Sequence, residues 1–285
     1  MKNPISFSIH ESKIITKIQP KKRLLASIIP GDISTYKYDN EEDYYKGYQE
    51  SFFAITTKKA GWDCLRHYEI LANGCIPLFL DIEECPENTM VHFPKKIIVA
   101  TNALYKLMVV TPYDDNLIKE CFEYIDILLK YTRDNLTTSA MAKHILGSSK
   151  DVLFISADTR PDYLSNLILI GLKDLIGAKC HDYPRIDHIY KGYQDISSLY
   201  GRGFSYTRLI DDDKRMENND SMDDDIRNHK YDKIIYSSYL RGIPFWDKVN
   251  EYYSKEDIIL MDGEDDHYDF FIPHPTDSIF VRELP

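Results

Sequence analysis

The sequence has no long apolar run. Its longest stretches, 152-VLFI-155 and 167-LILIGL-172, fall far short of the roughly 18 residues a membrane helix needs, so no span is expected. It has no basic excess. Its 35 Lys and Arg stand against 46 Asp and Glu, a formal charge of −11 and the wrong balance for non-specific nucleic-acid binding. Its five cysteines lack regular spacing, which argues against a secreted disulfide scaffold. Cys64, Cys75 and Cys85 make no C-x-x-C pair and read as small buried residues rather than zinc ligands. There is no Walker or Rossmann glycine fingerprint, and 201-GRG-203 is too short to count as one. Without G-x-S-x-G, a Ser-His-Asp esterase has no support. The start, MKNPISFSIHESK, is mixed polar and breaks at Pro4, unlike a secretory leader. The expected location is a reducing cytoplasm, of a cell or of a host.

What is present is a globular composition of 285 residues, 43% apolar and 28% charged, with 22 Tyr. At roughly 100–200 residues per domain, two domains are expected. Short strands are expected at 5-ISFSI-9 and 24-LLASII-29, then a helix with an acidic first turn over 41–50. A β-prone run at 51–55 leads into a helix over 63–73 ended by Asn73-Gly74, and into a strand at 75–81. Pro77 points to an edge position for that strand. The span 96-KIIVAT-101 reads as another strand. The spacing of Leu117, Ile118, Cys121, Phe122, Ile125, Leu128 and Leu129 predicts an amphipathic helix over 113–133, and a shorter helix follows over 137–146.

Composition changes at 147-GSSKD-151, which sets the expected division into residues 1–148 and 149–285. The second part alternates: strand 151–158, helix 162–177, strand 231–238, helix 245–254, strands at 258–262 and 278–284. Alternating strands and helices in both parts predict an α/β fold of two Rossmann-like, doubly wound domains facing a cleft. The run 211–225 holds eight acids and reads as a solvated, mobile loop.

The densest chemistry lies in 58-KKAGWDCLRHYEILANGCIPLFLD-81. A loop with Lys58, Lys59 and Gly61 feeds a helix carrying Arg66 and Glu69. Lysines and free helix-start N–H groups can bind a diphosphate, and Arg66 can reach it. Glu69 can accept bonds from ribose hydroxyls. The plain alternative is solvated lysines beside an i,i+3 Arg–Glu pair.

This unit resembles the nucleotide-sugar-binding part of exostosin-like glycosyltransferases, a two-domain GT-B type. The likeness rests on Arg66, Glu69 and 74-GCIP-77, with Asp81 and Pro86 after them, and covers roughly residues 51–102. It implies that residues 1–148 bind the donor, that Arg66 and Glu69 contact it, and that Gly74 sets a close backbone approach. In that family the donor domain comes second. Here the donor-like part comes first, so the resemblance implies a circularly permuted order.

Two further constellations lie in the second part. In 156-SADTRPDY-163, Asp158 is placed where a general base for an acceptor hydroxyl is wanted, while Asp158 or Asp162 can equally cap the next helix. In 262-DGEDDHYDFF-271, Asp262, Glu264, Asp265, Asp266 and His267 crowd together, as a solvated turn, a cleft wall or a metal site. Clustered carboxylates raise one another's pKa, which suits Glu264 to acid/base work.

The expected function is glycosyl transfer from a nucleoside-diphosphate sugar to a hydroxyl of a glycan, protein or small molecule. No cofactor is required. A divalent metal is not predicted, because cations can carry the diphosphate charge. The alternatives are a non-catalytic glycan- or protein-binding module and a metal-dependent phosphoesterase around Asp262 and Glu264.

Overall fold

A computed structural model describes residues 2–112, 114–214, 221–265 and 276–285. Their strands form two sheets, parallel throughout. The smaller sheet takes β2 (Arg23–Leu25), β3 (Ser51–Ile55) and β4 (Ile76–Leu78), in that order. Pro77 lies on β4, an outer strand, where a missing N–H is tolerated. Before β3 comes α1 (Glu41–Gln49), started by the Asn40 side chain, which accepts the Asp43 N–H at 2.8 Å. Between β3 and β4 lies α2 (Leu65–Ala72).

The larger sheet takes β1 (Lys2–Pro4), β5 (Val152–Ile155), β6 (Cys180–Tyr183), β7 (Lys233–Tyr236), β8 (Ile258–Asp262) and β9 (Ser278–Val281). Their spatial order is β6-β5-β7-β8-β9-β1. All of β5 and β8 is buried, as expected for strands covered on both faces. The chain leaves β5 through α6 (Tyr163–Ile176) toward β6, then returns across β5 to β7. The order reverses between β5 and β7, the switch point of a Rossmann-like sheet. Lys2–Pro4 pairs with residues 279–281, so the first strand belongs to this sheet.

Three helices connect the sheets: α3 (Lys95–Val110), α4 (Asp115–Asn135) and α5 (Thr138–Leu146). The α4 stripe is as expected, with Cys121, Ile125, Leu128 and Leu129 buried. α5 lies so close to α6 that a Cβ on Gly171 would stand 2.1 Å from the Thr138 carbonyl oxygen. One apolar core therefore runs from Phe53 and Leu71 through Met141 and Ala142 to Leu167 and Phe154. The smaller sheet stops at three strands, short of the doubly wound layer expected of the first part.

Three local expectations need correction. KIIVAT at 96–101 is helical, the start of α3. Its β-branched residues read as a strand, but Ile98, Thr101, Leu104 and Met108 are the buried positions, a helical spacing. Residues 5–9 alternate but join no strand beyond a single bridge of Ile9 to Thr137, and Ser6 and Ser8 are buried with Ile5, Phe7 and Ile9. Part of the acidic run folds, since α7 spans Met222–Arg227, while 215–220 lies outside the described residues. Between β7 and β8 lies α8 (Trp246–Tyr252). Among the described residues no helix is long and apolar enough to cross a membrane.

Candidate functional site

A cavity of about 540 Å³ is walled by residues from both parts of the chain. Its wall includes residues a short way past the carboxyl ends of β1, β3, β5 and β8: Phe7, Lys59, Tyr163 and Asp265. Ligands of open parallel sheets collect at such ends. Aromatic rings make much of the remaining wall, from Tyr36, Tyr38, Tyr44, Tyr200 and Phe204. α2 contributes Leu65, Arg66 and Glu69, with Asp63 and Cys64 just before it.

Arg66 and Glu69 are three apart on α2 and so share one side of it. Arg66 Nη2 donates to the Tyr36 hydroxyl at 2.7 Å, and the guanidinium lies 5.6 Å from the Tyr36 ring centre. Its Nε and Nη1 are buried without a hydrogen-bond partner among the described residues. Buried N–H donors left unmatched cost about 1–3 kcal/mol each, a cost that an acceptor reaching them would relieve. Glu69 is 7% exposed. Its Oε2 accepts the Tyr44 hydroxyl at 2.6 Å and its Oε1 accepts the Ser205 hydroxyl. Burial raises its pKa, and the two hydroxyls and Arg66 oppose that rise.

Lys59 is exposed at the cavity rim, whereas Lys58 is exposed over the Trp62 ring at 5.2 Å and is not part of the wall. Gly61 packs elsewhere: a Cβ there would lie 2.5 Å from Glu283 Oε1. The glycine lets the loop close on Glu283, whose oxygens accept the Trp62 and Asp63 N–H groups at 3.0 and 2.9 Å. Gly74 ends α2 with φ +61°, and a Cβ would meet Ile15 at 2.8 Å, so its close approach is to the core and not to the cavity.

Asp158, Asp162 and Glu264 gather by the switch point. Asp162 caps α6, accepting the Ser165 N–H at 2.9 Å, and pairs with Arg241 at 3.1 Å. Glu264 accepts Arg241 Nε at 2.8 Å. Asp158 is held by Arg160, whose Nε and Nη2 lie 2.8 and 2.6 Å away, and that hydrogen bond lowers its pKa. The free space beside Asp158, Asp162 and Arg241 is about 10 Å³, roughly one water. None of the three carboxylates lines the cavity, but Tyr163 and Asp265, their chain neighbours, do. Asp266 and His267 lie outside the described residues.

Sequence reasoning passed over Asp63. It lines the cavity, is 1% exposed, and accepts the Phe7 N–H at 2.6 Å and the Tyr68 hydroxyl at 2.8 Å. Burial pushes its pKa up to about 6, against the pull of Arg282 and of both hydrogen bonds. An acid just before a helix reads as a cap, yet the N-cap here is Cys64. The 22 Tyr of the sequence point to a tyrosine-rich cleft for a binding module, but not to which rings line it.

Metal-type ligands converge at one place among the described residues, at His10, Glu11 and Asp174. There His10 Nδ1 accepts the Ser12 N–H at 3.2 Å, which leaves Nε2 as the protonated nitrogen facing Asp174 at 3.0 Å. That hydrogen bond holds His10 and Asp174 together without a cation. Compared with protein-family models, curated proteins and solved structures, the chain matches none.

Proposed function

We propose that this chain is a glycosyltransferase whose aromatic cavity receives a nucleoside-diphosphate sugar. The observation that carries the reading is Arg66, with two buried guanidinium nitrogens unmatched at the wall of a cavity lined by Tyr and Phe rings. Rings offer stacking surfaces to a base. A guanidinium fork suits phosphate oxygens, and Lys59 at the rim adds a second positive charge. Each Glu69 oxygen holds one hydroxyl and keeps a further lone pair, so a ribose hydroxyl can join Tyr44 and Ser205.

The reaction needs a base for the acceptor hydroxyl and positive charge for the departing diphosphate. We assign the base to Asp63 rather than Asp158. Asp63 lines the cavity with a pKa near neutrality, whereas Asp158 is committed to Arg160 outside it. Arg66 and Lys59 would stabilise the leaving group where its charge develops.

A second reading is a binding module that has the cavity but no chemistry. It is favoured by the occupation of Asp162 and Glu264 by Arg241. Melting temperature and slow donor hydrolysis, recorded across a panel of nucleotide sugars, separate the two. Transferase chemistry predicts stabilisation by one nucleoside diphosphate, lost in Arg66→Ala, and hydrolysis lost in Asp63→Asn. Stabilisation without turnover favours the binding module. No response to any nucleotide defeats both the donor site and the transferase.

A further inference from the structure

The short glycine motif 201-GRG-203 lies at the tip of a strap. The chain leaves and re-enters the larger layer at Tyr190 and Ile210, which form a bridge, with the Lys191 N–H on the Ile210 carbonyl at 2.9 Å. Between them it crosses to the helices of the smaller sheet. The Ser205 N–H donates to Glu41 at 2.6 Å, and the Ser205 hydroxyl meets Tyr45 at 2.6 Å and Glu69 on α2. Tyr200, Gly201, Arg202 and Phe204 of the strap form part of the cavity wall.

The tip is left-handed at three successive residues, with φ of 58°, 57° and 71° at Gly201, Arg202 and Gly203. Glycine adopts this region freely and a long side chain does not. The turn alone would be better served by glycine in the middle as well. What arginine adds is a guanidinium beside the cavity, half exposed and bordering a second hollow of about 550 Å³. Its one partner among the described residues is Asp39, at 2.7 Å, with an 87% exposed side chain. An exposed pair of this kind is weak and readily exchanged for another anion.

We infer that Arg202 is a second diphosphate ligand, so that phosphate bridges Arg66 on α2 and Arg202 on the strap and fastens the strap over the cavity. This rests on the proposed donor site. The arrangement asks for a dianionic group: a nucleoside without phosphates would touch the rings but neither guanidinium. In the resting protein Asp39 occupies Arg202, and phosphate displaces it.

The test measures affinities of UDP, GDP, ADP and CDP, and of the matching nucleosides, by calorimetry on the full chain. Variants are Arg202→Gly, Arg202→Ala, Asp39→Ala and Arg66→Ala. Arg202→Gly should melt higher than the parent, because the strain is relieved. It should nevertheless bind the preferred diphosphate about tenfold or more weaker, with nucleoside affinity unchanged. Asp39→Ala should bind the diphosphate at least as tightly as the parent. If both Arg202 variants bind diphosphate like the parent while Arg66→Ala does not, the strap ligand is wrong and the donor site stands. If the parent binds none of the four, both proposals fail together.

Discussion

Asp63 supplies a test independent of any substrate. Its pKa of about 6 in the fold compares with 3.8 for an ordinary aspartate. A difference of roughly two units, at about 1.4 kcal/mol each, makes its ionisation cost the fold about 3 kcal/mol. The sign follows from which form the fold prefers. A protonated Asp63 is favoured in the native state, so its stabilising contribution is complete below about pH 4 and is lost as pH rises through 6. Asparagine at 63 cannot titrate. Urea unfolding of the parent and Asp63→Asn, run from pH 3 to 8, should show the parent losing about 3 kcal/mol relative to the variant. Taking the difference cancels groups shared by both proteins, including Glu69 and the buried His67. The charged neighbours that face Asp63, Arg282 and Glu283, are also unchanged. A flat difference, or one that grows in favour of the parent with pH, would refute the claim that burial dominates at this carboxyl.

Other expectations concern reaction and packing. Tyr68→Phe removes a hydrogen bond that lowers the Asp63 pKa, so the acidic limb of a donor-hydrolysis profile should move to higher pH. Gly171→Ala should lower stability by about 1–3 kcal/mol or more in thermal unfolding, because the new methyl meets a backbone oxygen and α5 must move off α6. Lys173 and Asp182 form a fully buried pair at 2.7 Å, so Lys173→Ala should cost about 3–5 kcal/mol by leaving a carboxylate unpaired. The double variant Lys173→Met, Asp182→Leu removes the charge imbalance but orphans the Ile186 N–H, so it should fall between the parent and Lys173→Ala in the same assay.

Much of the fold was legible because its long elements obey a simple period. The α4 stripe, the unbroken apolar strand at 152–155 and the proline-bearing outer strand at 76–78 all followed from local rules. Failures came where packing overrode propensity. Ile97, Ile98, Val99 and Thr101 favour strands singly, yet the 3.6 spacing over the whole of 95–110 decides for a helix. The short outer strand β6, CHDY, has no strong pattern to betray it. At the site, the i,i+3 placement of Arg66 and Glu69 put both beside one cavity, as helix geometry requires. What no spacing encodes is that Tyr163, Tyr200 and Phe204, from the other part of the chain, close the same wall. Nor does spacing reveal that Gly61 and Gly74 serve Glu283 and Ile15 instead of a ligand.

The pairing of β1 with β9 has a consequence for how the molecule is made. A ribosome releases Lys2–Pro4 long before Ser278–Val281 exists, so β1 waits for its neighbour until the chain between them has been made. Through that interval its ladder groups need water or a chaperone, while helices such as α4 can already coil. Docking that strand closes the longest loop in the chain, which places it among the late steps of assembly.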